Sequence, residues 1–484
     1  MKFKSLWGFL LAACTLCMLA ASCADDDSFT TSTQNRLSFS VDTVKLDTVF
    51  SRVPTPTKSL WVYNHSGDGI RCSNIRLARG NQTGYRVNVD GTYLGESSGW
   101  QTQNVEIRDK DSIRVFVELT SPANGLLTPQ PLDDDLIFLL ESGTEQRVHL
   151  SAYTWDAEIV NGLRVSADTT LQSSRPLIVY GGIVVDSAAT LRIPAGQTVY
   201  FHAGAGIDVY GRLLCEGQPD NNVVLRGDRI DNMFDYLPYD LVSGQWSGIR
   251  IHSSSYENNI SYTDIHSTFN GIVCDSADVS RLKLDLLYST VHNCQGDGLQ
   301  ANNCYVRVAN CQITNTLGNC VGVVGGNVLL QHCTLAQFYP FDAMRGAALH
   351  FTNGPGSPLQ LVCLNSLITG YADDVVMGTQ ADTAAVFDYY FSSSVMRTPA
   401  VDDTLRFKNI LWEDPEDTLT TGRKHFRLVN GDTQHYDFHL DSLSTAINRG
   451  DPLNALPEDR DGRQRDEQPD AGCFEFIPKS STTP

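Results

Sequence analysis

Between Trp246 and Ile368 the chain alternates polar and apolar positions in short runs, and the runs repeat. Three segments share one form: Asn or His, then Cys or Ser, any residue, then an aliphatic. They are Asn310-Cys311-Gln312-Ile313, His332-Cys333-Thr334-Leu335 and Asn365-Ser366-Leu367-Ile368. Tyr262-Thr263-Asp264-Ile265 and Tyr288-Ser289-Thr290-Val291 take a similar form upstream, and the steps between the five aliphatics are 26, 22, 22 and 33 residues. A second series falls in the gaps: Gly248-Ile249, Gly271-Ile272, Gly298-Leu299, Gly322-Val323 and Ala348-Leu349. Units this small cannot bury an apolar face alone and must stack on one another. Their pieces are too short for helical repeats and are broken by Asn, Gly and Asp, so each unit is predicted to be a coil of short strands. Like positions then recur at about 4.8 Å, with Cys311 beneath Cys333 and Ile313 beneath Leu335.

The pattern differs elsewhere. From Leu37 strict alternation (Leu37, Phe39, Val41) and later runs at Leu60–Val62, Tyr85–Val89, Ile113–Val117 and Val148–Leu150 predict a β-sandwich over 37–155. Beyond Pro176 strands and glycine turns alternate closely, as in Ile207-Asp208-Val209-Tyr210-Gly211. The fold class is therefore all-β, a sandwich followed by a parallel β-helix over 160–476 with a C-terminal cap, and 477–484 form a polar tail. Two stretches interrupt the coils, Asp228 to Gln245 and 383–430. Their aromatics Tyr236, Tyr239, Trp246, Tyr389 and Tyr390 are the candidate ligand-binding residues, lining a long groove suited to a chain-like ligand; the alternative is that they cover the coil and close its end.

Charge narrows the partners. Lys plus Arg number 36 against 56 Asp plus Glu, a formal charge of −20, which disfavours nucleic acid and favours a neutral or calcium-bridged ligand. The first 22 residues read as a leader, with Lys2 and Lys4 ahead of an apolar stretch too short for a lasting membrane span. Leu19-Ala20-Ala21-Ser22-Cys23 resembles the cleavage box of bacterial lipoproteins, with the aliphatic four rather than three positions before the cysteine. That resemblance implies a lipid on Cys23, a tether over 23–36 and a membrane anchor. Asp25-Asp26-Asp27 resembles the export signal of surface lipoproteins in Bacteroides-like bacteria and implies an outer-membrane, cell-surface address. Ten cysteines remain after the leader and Cys23, and their spacing suggests small buried residues in a stack.

Leu177 through Gly196, Gly211-Arg212-Leu213-Leu214-Cys215-Glu216-Gly217 and Trp246-Ser247-Gly248-Ile249 resemble the opening of right-handed parallel β-helix proteins of the pectin-lyase-like superfamily. Tyr436-Asp437-Phe438-His439-Leu440, Asp459-Arg460-Asp461-Gly462-Arg463 and Pro469-Asp470-Ala471-Gly472-Cys473 resemble the closing segment of such proteins from Bacteroidota, in which an immunoglobulin-like domain often precedes the coil. The superfamily includes enzymes, adhesins and spike proteins, so the resemblance specifies fold better than activity.

Candidate chemistry is sparse. Catalytic candidates are Asp264 and Asp285 on the outer face, with His292 and Asp297 nearby, and the adjacent pair Asp373-Asp374, which resembles the aspartates of inverting polygalacturonases. Neighbours on one strand point oppositely, and the other elements of that family are missing. Asp459-x-Asp461-Gly462, with Asp470, has part of a calcium-loop grammar without its later ligands, and a structural cap is the preferred reading. No cofactor is expected, calcium apart. The sequence thus points to a non-catalytic surface protein holding a polysaccharide or another envelope component, against a polysaccharide lyase or glycoside hydrolase, or a purely structural or adhesive module.

Overall fold

The computed structural model describes residues 28–478 except Asp235; the leader, Cys23 and the Asp25–Asp27 run lie outside the described residues. The chain divides into two compact units, one ending at Asp156 and the other beginning at Ala157.

The first unit is two facing sheets. One orders Leu37–Phe39, Lys58–Asn64, Ser112–Leu119, Tyr85–Val89 and Thr92–Tyr93. The other orders Thr43–Phe50, Glu145–Trp155, Gln130–Leu140, Ile70–Leu77 and Gln101–Thr102, with Val105–Ile107 also on Ile70–Leu77. Alternation does the sorting: Ile113, Val115, Val117 and Leu119 are buried while the residues between them are not. They meet Ile75, Phe138, Val148 and Leu150 of the second sheet in one core.

Among the described residues the second unit holds a 26-stranded sheet wound as a parallel coil, with two two-stranded hairpins beside it. Three ladders run its length. In the first, Val199, Leu225, Ile265, Val291, Ile313, Leu335, Ile368 and Met396 stand in register and point inward. The second stacks Ile183, Ile207, Ile249, Ile272, Leu299, Val321 and Leu349. The third stacks Ile193, Cys215, Ile260, Leu286, Val308, Leu330, Cys363 and Phe391. The second ladder corrects one rung: Val321, not Val323, lies over Leu299, so Cys320 rather than Gly322 occupies the place of Gly298. A slip of two residues keeps the same face inward, which is why alternation alone did not show it.

The repeated four-residue form has a physical basis at the corner ahead of the first ladder. Tyr262, Tyr288, Asn310, His332, Asn365 and Ser393 all take left-handed conformations, with φ between 44° and 51°, a region that Asn, after glycine, adopts readily. Each turns the next residue inward. There Thr263 N–H donates to Ser289 Oγ (3.1 Å), Ser289 N–H to Cys311 Sγ (3.4 Å), Cys333 N–H to Ser366 Oγ (3.1 Å) and Ser366 N–H to Ser394 Oγ (3.0 Å). The same hydroxyls and thiol donate to the carbonyl two residues back, as Ser289 does to Leu287 (2.8 Å) and Cys311 to Ala309 (3.2 Å). A small side chain that both donates and accepts is required, hence Thr, Ser or Cys. All ten described cysteines are free and buried. Filling this corner with valine at Ser366 should cost about 1–3 kcal/mol, because the Cys333 N–H loses its acceptor; chemical denaturation of the Ser366→Val variant measures it.

Gly248 shows how tightly successive coils approach. At φ 88° a Cβ there would lie 1.6 Å from the Asn270 carbonyl oxygen, so no other residue fits.

The last coils are closed by aromatic side chains: Phe391 stacks on Phe407 (5.4 Å between centroids), which meets Trp412 (5.2 Å). A hairpin of Phe426–Asn430 and His435–Leu440 follows. The remaining chain then crosses back over earlier coils along the left-handed corner. Asn310 donates to the Glu458 carbonyl (2.7 Å), Arg465 to Asn310 (2.9 Å), Gly472 N–H to the Asn365 carbonyl (2.8 Å) and Cys473 N–H to Thr334 Oγ1 (3.0 Å).

Candidate functional site

The outer face of the first ladder carries the polar residues that alternate with its inward aliphatics. One column reads Asp264, Thr290, Gln312; the column two residues on reads Arg226, His266, His292, Thr314. The insertion after Arg226 brings Asp240 and Leu241 over this face, and the cap hairpin brings Tyr436 to His439. Together they enclose a cavity of about 380 Å³ lined by Thr290, His292, Asn293, Gln312, Thr314, Asn315, Leu241, Tyr436, Asp437, Phe438, His439 and Phe474, with Gln434 and His435 at the hairpin turn.

At one end of the cavity four side chains converge. His266 Nδ1 lies 2.9 Å from Asp264 Oδ1 and its Nε2 2.8 Å from Asp240 Oδ1; His292 Nε2 lies 3.2 Å from the same Asp264 oxygen. The two imidazoles stack at 4.8 Å, and Arg226 approaches Asp240 at 2.7 Å. Burial by itself would lower the His266 pKa, but Asp264 and Asp240 outweigh it and raise it to about 9. Burial likewise opposes the charge on Asp264, yet His266 and His292 hold that carboxyl well below its usual range.

A second His–Asp set closes the other wall. His439 lies 2.5 Å from Asp437 and 2.9 Å from Asp461, and its ring rests on Phe474 at 4.1 Å. Burial works against its charge, but the two carboxylates raise its pKa.

Of the sequence candidates, His292 lines this cavity and Asp264 stands directly behind it, 3.2 Å from its Nε2. Asp285 stands on the third ladder, held at both oxygens by Arg307 (2.7 and 2.5 Å). Asp373 is exposed and 3.4 Å from Arg397, while Asp374 accepts from Thr398 (2.7 Å) and from the Val376 N–H (3.2 Å). Asp264 therefore has neither Asp285 nor the Asp373–Asp374 pair beside it as a catalytic partner. Trp246 is a correction: it is 1% exposed, stacks on Phe201 at 4.3 Å and donates to the His266 carbonyl (2.8 Å), so it presents no face to a ligand. Tyr236 is exposed and stacks on Phe234. Tyr239 is half-buried, with the Arg229 guanidinium 3.7 Å from its ring centre. Tyr389 packs into the aromatic end among Phe351, Phe387 and Phe407, and Tyr390 projects outward at that end, half-buried.

The candidate calcium residues are engaged in the cap. Asp459 accepts from the N–H groups of Asp461 (2.9 Å), Arg463 (2.9 Å) and Glu475 (3.0 Å), and Asp470 from those of Asn448 (2.7 Å) and Phe476 (2.5 Å). Asp461 turns away to His439 and Arg463. These carboxylates hold backbone rather than converge on one oxygen cage.

His266, Asp240, His439 and Tyr436 were not found from sequence. For His266 a signal existed: Tyr262-Thr263-Asp264-Ile265-His266 and Tyr288-Ser289-Thr290-Val291-His292 end alike, which puts both histidines outward in one column.

Residues 167–337 match the family model described as "Right handed beta helix region", which sets the hand of the coil. No curated protein matches. Among solved structures, the chain is similar to the ASH/PapD-like domain 7 of human CEP192, at 13% identity over 26% of this chain and 88% of that chain, with a TM-score of 0.17; a likeness that slight carries no argument.

Proposed function

We propose that this protein is a lipid-anchored surface protein that binds, without cleaving it, a neutral polysaccharide or a similar envelope component in the cavity on the first ladder. The observation that carries the reading is the composition of that cavity. Gln312, Asn293, Asn315, Thr290 and Thr314 offer oriented donors and acceptors beside the aromatic wall of Tyr436, Phe438 and Phe474, the combination that grips sugar hydroxyls and ring faces. Its amides repeat from coil to coil, which suits a repeating ligand.

Titration calorimetry against a panel of neutral and acidic oligosaccharides tests this. At least one neutral member should bind, and Tyr436→Ala or Gln312→Ala should weaken it about 10-fold or more, a loss of about 1.4 kcal/mol. Binding unaffected by both variants would refute the site.

A second reading, a polysaccharide lyase or hydrolase, is favoured by the Asp264, His266 and His292 convergence. Assays for new reducing ends and unsaturated products separate the two. Turnover abolished by Asp264→Asn would establish the enzyme; turnover absent across the panel accords with binding alone. The anchoring part of the proposal predicts that Cys23→Ala moves the protein from the membrane fraction to the soluble one.

A further inference from the structure

We infer that Asp264, His266 and His292 form a site for a divalent transition ion of the zinc class, with one coordination position open. The ligand atoms of these three residues all lie within 4.8 Å of one another. Asp264 Oδ1 stands 2.9 Å from His266 Nδ1 and 3.2 Å from His292 Nε2. Ligands about 2.0–2.1 Å from a tetrahedral centre sit roughly 3.3 Å apart, so a small outward movement of each side chain admits an ion among them. The imidazoles stack with centroids 4.8 Å apart and 23° between their planes, so a rotation of the rings is also needed to turn both nitrogens onto one ion.

The surroundings match a metal's outer shell. A metal-bound histidine characteristically gives its far ring nitrogen to a carboxylate, which fixes the tautomer and ring orientation. His266 does this: with Nδ1 toward the site, Nε2 meets Asp240 at 2.8 Å, and Asp240 is itself held by Arg226 at 2.7 Å. Two imidazoles and one carboxylate suit zinc, cobalt or nickel better than calcium or magnesium, which prefer all-oxygen shells. On binding, the ion displaces the proton from His266 Nδ1 to solvent and takes the Asp264 oxygen that now accepts it. Three protein ligands leave the fourth position free, and His292 lines the large cavity, so that position is reachable from solvent. The site stands on these ligands whether or not a glycan occupies the cavity.

Titrating the chelator-stripped full chain with Co²⁺, read by visible absorption, tests the inference. One equivalent should bind and give the intense bands of a tetrahedral centre, with Zn²⁺ displacing it. His292→Ala and Asp264→Asn should each lower affinity at least 100-fold, and Asp240→Asn about 10- to 100-fold as an outer-shell change. His252→Ala, in the separate His252, Asp208 and Asp275 set, should leave the bands unchanged. Thermal unfolding of each variant checks its fold, and His292→Gln replaces any alanine variant that does not fold. Wild-type protein without those bands, or bands that persist in the folded His292 and Asp264 variants, would overturn the site.

Discussion

Replacing Trp246 by alanine should destabilise the coiled unit by about 3–5 kcal/mol, the range for losing a large buried aromatic. Trp246 is almost wholly enclosed and lies flat on Phe201, with 8° between the rings. It also spans two coils through its bond to the His266 carbonyl. Neither neighbour can collapse far into the space, because the backbones on both sides are fixed in ladder register. Trp246→Phe should cost less, keeping the ring contact and losing the hydrogen bond. Denaturant unfolding followed by a probe in the second unit measures both, and an alanine variant within 1 kcal/mol of wild type would contradict the packing described here.

An effect of similar size is expected at Glu413, the hub of a buried polar network near the end of the coil. One carboxylate oxygen takes Arg397 (3.1 Å), Thr369 Oγ1 (3.1 Å) and the Gly422 N–H (3.0 Å), and the other lies 2.9 Å from His425 Nε2. His425 Nδ1 in turn meets Ser444 Oγ at 2.9 Å. The set pins the last coils to the cap, and its burial argues for anchoring rather than chemistry. Glu413→Ala leaves Arg397 enclosed with only the exposed Asp373 as an ionic partner, so a loss of about 3–5 kcal/mol is expected. Burial alone would raise the Glu413 pKa, but His425, the Gly422 N–H and Thr369 bring it below the ordinary 4.5. The carboxylate's contribution is therefore complete above about 4.5 and is lost as pH falls through the lower folded value. Stability of the coiled unit should drop over that acid window in the wild type, and the drop should be smaller in Glu413→Gln. Equal pH dependence in the two would contradict this.

Where a side chain's role follows from repetition, the sequence was informative. Cys311 and Cys333 lie on successive coils, and Ile313 lies under Leu335, because period and alternation together leave little freedom. The second series slipped by two residues at Val321 because both Val321 and Val323 point inward. Trp246 was misjudged as a ligand-facing aromatic because it borders an insertion, and a sequence does not reveal which side of a boundary a ring will choose. The site was harder still. Asp240 comes from an irregular insertion and Tyr436, Asp437 and His439 from the cap, more than a hundred residues beyond His292 in the chain; neither segment repeats, so only the folded return of the chain brings them to one face. For Asp459 and Asp470 of the closing segment a structural cap was the preferred reading over calcium, but the backbone N–H groups they hold, those of Glu475, Asn448 and Phe476 among them, were not legible from spacing.

The measurement that bears most directly on the binding proposal is a crystal structure of the protein with the oligosaccharide that calorimetry selects. Sugar density should lie against Tyr436, between Asn293 and Gln312, on the outer face of the first ladder. Density at Tyr236 and Tyr239, or in the glycine-lined groove of Gly182, Gly206 and Gly248, with the first-ladder cavity unchanged, would contradict it.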